Sequence, residues 1–105
     1  MAWFYLALAG LLEVVWAYFM KKSEGFSLFT PSAITIVTMI GSFLLLSIAM
    51  RSLPLGTAYA VWTGIGAVGA FLVGVFILGE AATLFRIASV TLILAGLVGL
   101  KLSSN

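Results

Sequence analysis

Four apolar runs, each about as long as a lipid bilayer is thick, take up nearly all of this chain and leave it one kind of solvent. A bilayer core of about 30 Å needs about 20 residues of helix at 1.5 Å each. Residues 2–20 supply the first run, with Glu13 as its single charge. Residues 31–50 and 58–78 supply the second and third, and neither carries a charge. Residues 84–102 supply the fourth, with Arg86 and Lys101 near its ends, where long basic side chains reach water. The runs are continuous rather than alternating, which excludes a transmembrane β-barrel. Composition agrees: of 105 residues 64% are apolar and 8% charged, against roughly 45–50% and 25% in a soluble domain. So few charges cannot cover the large relative surface of a small soluble protein.

Polar and turn-forming residues separate the runs. Lys21, Lys22, Ser23, Glu24 and Gly25 close the first; Thr30 is placed to cap the second helix, with Pro31 at its first position. Arg51 ends the second run, Pro54 and Gly56 mark a turn, and Gly79 with Glu80 ends the third. Connections this short predict that successive helices are antiparallel neighbours. The first run does not read as a signal peptide, because it lacks a basic start and a small-residue cleavage pattern and carries a glutamate. The expected fold is an all-α membrane protein, one transmembrane domain of four helices over residues 1–105.

Charge gives little guidance on orientation. Arg51 and Lys101 fall on one side of the membrane, Lys21, Lys22 and Arg86 on the other. Two basic residues against three is almost no bias, whereas the positive-inside rule needs one to fix a topology. The sequence therefore predicts insertion in both directions, with copies pairing antiparallel.

Glu13 stands near the middle of its run, hence near the bilayer midplane, where an ionised side chain costs several kcal/mol (about 2.5–3.5 on insertion scales for comparable charges). No other run offers it a cationic partner. Such a carboxyl stays protonated, pairs with a cation from outside, or faces a water-filled cavity. The chain has no histidine to carry protons near neutral pH, so Glu13 is the one midplane group able to trade a proton for a cation. That is the logic of an antiporter. The plainer reading, a protonated glutamate acting as glue between helices, would be met as well by Asn, Gln or Ser.

Helical spacing gathers a pocket around it. Trp16 at i+3 and Gly10 at i−3 share its face. Thr35, Thr38 and Ser42 form a polar stripe on the second helix, and Tyr59, Trp62 and Gly66 share a face of the third. Hydroxyls and an indole N–H can orient a carboxylate, while aromatic faces suit a cation. The competing roles are interfacial anchoring, which fits Trp3, and bonding of hydroxyls to their own helix.

Several classes are excluded. With no cysteine there is no disulfide or thiolate metal site, and no metal or cofactor is expected. The net charge of +2 is small and scattered, which argues against nucleic acid. Gly64, Gly66 and Gly69 match G-x-G-x-x-G, but a dinucleotide fingerprint needs a preceding strand, and here both flanks are membrane span. These glycines are read as helix packing, as are Ala95 and Gly99 with Gly96 in the last helix. No phosphate-binding G-x-x-x-x-G-K-[ST] occurs, so the energy source is an ion gradient.

Taken together, GLLEVVW at 10–16, KSEGF at 22–26, PS at 31–32 and PLGTAYAVWTGIG at 54–66 resemble the small multidrug resistance family over essentially the whole chain. The resemblance implies an antiparallel dimer in a bacterial inner membrane that exchanges protons for small organic cations. Trp16, three residues after the glutamate, resembles the guanidinium exporter subtype, where quaternary-ammonium members typically have glycine; Lys101 also looks like that subtype. Carried over, Glu13 binds substrate and proton in turn, Trp16 and Ser42 hydrogen-bond and orient it, and Tyr59 and Trp62 line the pocket. Ser27 and Leu28 depart from the threonine and arginine many members carry there, which removes a loop charge rather than a pocket residue. Guanidinium fits the expected pocket better than a quaternary ammonium, since its planar fork of N–H donors meets carboxylates edge-on. The alternatives are a promiscuous quaternary-ammonium antiporter of the same family and a non-transporting partner of a larger membrane complex.

Overall fold

The computed structural model describes residues 1–103 and contains four α-helices: α1 Ala2–Lys22, α2 Phe29–Ala49, α3 Leu55–Phe76 and α4 Leu84–Ser103. Each is long and apolar enough to cross a membrane. Strands are absent among the described residues. A helix satisfies every backbone group within itself, which hydrocarbon demands.

The connections explain where the helices stop. Ser23, fully buried, organises the first. Its hydroxyl donates to the Met20 carbonyl at 2.6 Å and accepts the Phe26 N–H at 3.0 Å. Around it Glu24, Gly25 and Phe26 all take positive φ, at 50°, 74° and 65°. Only Gly25 does so without steric cost. The second helix starts two residues before the expected Pro31, with Leu28 rather than Thr30 at the cap position. Pro31 still lies in the first turn, where no intrahelical donor is needed. The third starts at Leu55, three residues before the expected 58, because Pro54 takes the cap position and Gly56 and Thr57 join the first turn. At its end the Glu80 N–H returns to the Gly74 carbonyl at 2.9 Å, with Gly79 at φ 74° making the reversal. Thr83 caps α4, its hydroxyl accepting the Arg86 N–H at 3.2 Å.

Packing order departs from the expectation that successive helices are neighbours. α1 lies between α2 and α3, α4 approaches α3 alone, and α2 and α3 barely meet. Close approach, not connection length, sets this order: glycines lie at the α1–α3 contact and let these helices come together. The result is a slab of 42 × 34 × 16 Å rather than a closed bundle. Its core joins Leu6 and Ala9 of α1, Leu46 and Ala49 of α2, and Ala58, Val61 and Trp62 of α3. α4 buries no residue at all. The many exposed Leu, Ile, Val and Phe side chains are where a lipid-facing surface puts them.

Candidate functional site

Glu13 stands one residue past the midpoint of α1, half-buried, on the side facing α3. Its carboxyl fills a notch in α3: a Cβ placed on Gly66 would overlap the Glu13 Cδ and Oε1 atoms. The neighbouring contacts have the same form. Gly10 of α1 receives Ile65 of α3, whose Cγ2 would lie 2.6 Å from a Cβ there, and Gly69 of α3 receives Val14. Gly64 points the other way and receives Leu97 of α4, which a Cβ would meet at 2.5 Å. Gly64 and Gly69, expected as packing residues, thus pack helices within the chain.

The polar atoms near Glu13 are distributed differently from expectation. Ser42, fully buried, donates to the Ala9 carbonyl at 2.6 Å and accepts the Trp62 indole N–H at 2.9 Å. One hydroxyl therefore ties α2 to both α1 and α3, and it does so without touching the carboxylate. The Glu13 Oε1 and the Trp16 Nε1 are both buried with no hydrogen-bond partner. The two orienting bonds expected from Ser42 and Trp16 to Glu13 are not made in this single chain. Thr38 bonds the Ile34 carbonyl of its own helix at 2.7 Å and Thr35 the Pro31 carbonyl at 2.8 Å, so these two hydroxyls do not turn to the site. Thr38 instead lines a shallow groove on α2 with Ala33, Ile34 and Val37.

The aromatic residues do gather. Trp62 is nearly buried, with Tyr59 and Phe43 rings at 5.6 and 5.7 Å from its own. Tyr59 is 54% exposed and so forms the open edge of this cluster. Phe43 carries no sequence signal, being one of many apolar residues on α2. Trp3 has the Lys101 ammonium 4.7 Å from its ring centre, a cation–π contact joining α1 to α4. Ala95, Gly96 and Gly99 are all exposed, and a Cβ at either glycine would meet nothing.

A groove of about 210 Å³ runs between α1 and α3 from Val14, beside Glu13, to the loop end, where Lys21 and Glu80 flank it. Arg86 stands over that end, 3.7 Å from the Glu80 carboxylate, donating to the Ala81 carbonyl, with its guanidinium 5.0 Å from the Phe71 ring centre. Sequence reasoning assigned Arg86 only to snorkelling; an acid at i−6 was the available hint. No group of three His, Cys, Asp or Glu able to hold a metal occurs among the described residues. Chemically, the site offers one carboxyl at membrane depth, an indole N–H with no partner beside it, and an aromatic edge.

Comparison with known proteins follows the same lines. The model of the family described as Small Multidrug Resistance protein matches residues 1–93. A protein of Yersinia pseudotuberculosis named Guanidinium exporter is 62% identical over 104 residues, covering 99% of this chain and all of its own length. Proteins of the same name from Escherichia coli K12 and Citrobacter freundii are each 59% identical over 105 residues and the full length of both chains.

Proposed function

The chain belongs to the small multidrug resistance family of membrane transporters, and from that premise we propose that it is a proton-coupled antiporter exporting guanidinium and small substituted guanidinium cations. It is a multi-pass membrane protein and a transporter rather than an enzyme. The observation that carries the proposal is Glu13: one acid, placed at the middle of a span, one turn from the Trp16 indole, whose buried Nε1 has no partner. Full-length relatives named Guanidinium exporter support the choice of substrate.

In this reading Glu13 holds either a proton or a cation, and the exclusion of one by the other couples the two fluxes. The ionised carboxylate, costly in hydrocarbon, is compensated by a cation that brings its own donors. Guanidinium is planar and permanently charged, and it pairs with carboxylates in two parallel hydrogen bonds. Trp16 limits the room for a bulky quaternary ammonium, and Tyr59 and Trp62 face the bound cation with ring surface. Two antiparallel copies in the inner membrane complete the transport path, since a slab 16 Å thick encloses none by itself. Such a pair recreates the inverted repeat that larger transporters carry in one chain. The unburied α4, with Ala95, Gly96 and Gly99 outward, supports it as the helix on which the copies meet. The whole chain then works as a single transmembrane domain.

The test is proton-coupled current in liposomes on addition of guanidinium or tetrapropylammonium. A current with guanidinium, weak with the bulkier cation and abolished by Glu13→Gln, is the expected result. Equal responses to both would move the protein to the promiscuous branch of the family. Silence with both, from folded protein, would sink the transporter reading and leave a partner-protein role.

A further inference from the structure

The family reading leaves Gly66 as one packing glycine among several, but its surroundings differ from theirs. The other glycines of the α1–α3 contact and the one facing α4 receive aliphatic side chains: Ile65 at Gly10, Val14 at Gly69, Leu97 at Gly64. Within the α1–α3 contact it is Gly66 that receives an ionisable group, with Cγ, Cδ and Oε1 of Glu13 all inside the space a side chain would occupy; Gly74, near the end of α3, receives the Glu80 carboxyl from the loop that follows its own helix. We propose that Gly66 is a positioning residue for transport, the seat that holds the Glu13 carboxyl back against α3 and so sets where the cation is bound.

The seat works by shape. Gly66 lies inside α3, so its backbone N–H and carbonyl are committed to the helix and cannot hold the carboxyl. The Oε1 lodged there is buried and has no hydrogen-bond partner. An unpartnered buried acceptor is poorly held, so the carboxyl leaves the seat once something better is offered. A guanidinium fork is such an offer, and so is the unpartnered Trp16 N–H one turn along α1. With a methyl group at position 66 the carboxyl can no longer withdraw, and it stands in the space the cation needs.

This inference rests on Glu13 being the cation site, and the experiment separates the two. Guanidinium transport by the full-length protein in liposomes gives KM and kcat for Gly66→Ala and for Gly69→Ala, which adds the same methyl one turn further along the same contact. Thermal melting of the same proteins, with and without Glu13→Ala, gives the steric part independently of transport. Gly66→Ala is expected to raise KM for guanidinium about tenfold, the effect of a misfit of ordinary overpacking size. Gly69→Ala is expected to lower the melting temperature and leave KM unchanged. The melting loss from Gly66→Ala should vanish in the Glu13→Ala background, whereas that from Gly69→Ala should persist there. This arm keeps the proposal testable if Gly66→Ala alone fails to fold. An unchanged KM in Gly66→Ala, or an equal melting loss with and without the Glu13 side chain, overturns the seat. A wild-type protein that transports no guanidinium overturns the substrate reading instead, and the melting cycle still decides whether the carboxyl lies on Gly66.

Discussion

α1 and α4 are both apolar helices of about the same length, yet α1 is gripped from two sides while α4 buries nothing. The difference does not follow hydrophobicity, because lipid is as apolar as leucine and gives helices no reason to associate. It follows the placing of small residues. Where α1 meets α3, glycines at 10, 66 and 69 each receive a side chain from the facing helix. On α4, Gly96 and Gly99 offer the same kind of notch and receive nothing. One set of notches is filled within the chain, and the other is open to a neighbour.

That contrast can be broken deliberately. Gly69→Leu forces a branched side chain into the space of Val14, and overpacking of this kind costs about 3 kcal/mol or more. Loss of the folded chain in a thermal melt is the expected outcome. Gly96→Leu meets open space and should leave the melt of the single chain unchanged while shifting dimer to monomer in analytical ultracentrifugation. If both variants fail in the same assay, the two faces are not different in kind.

Smaller changes sharpen the comparison. Ser42→Ala removes the bond to Ala9 and strands the Trp62 indole, two buried losses that together cost about 1–2 kcal/mol. Chemical denaturation should show it, with Trp62→Phe adding little further in the double variant. Arg86→Ala acts at the loose end of the molecule. Its ion pair is long and its partners are about 40% exposed, so about 0.5 kcal/mol is expected. Faster proteolysis of the loop before α4, without a change in the melt, is the measurement that checks it.

How much of this was legible in the sequence varies with the physics involved. The helices were, because hydrocarbon selects apolar runs of a set length, and α4 begins at Leu84 as expected. The start of α3 was not: Pro54 and Gly56 carry turn signals, but proline at a cap and glycine in a first turn are equally compatible with helix. The order of the helices was not legible either, since it depends on which notch meets which side chain across the contact. Glu13 was conspicuous as one charge in an apolar run. The partner of Ser42 was hidden, because it is a backbone carbonyl 33 residues away, and carbonyls leave no mark in a sequence.

That carbonyl has a consequence of its own. A carbonyl can only accept and an indole N–H can only donate, so the Ser42 hydroxyl has a fixed direction: it gives its one proton to Ala9 and takes one from Trp62. A hydroxyl has a single proton to give. Whenever Ser42 donates to the Glu13 carboxylate, it must let go of the α1 backbone. An orienting bond to the carboxylate and the grip of α2 on α1 are then mutually exclusive uses of the same hydrogen atom.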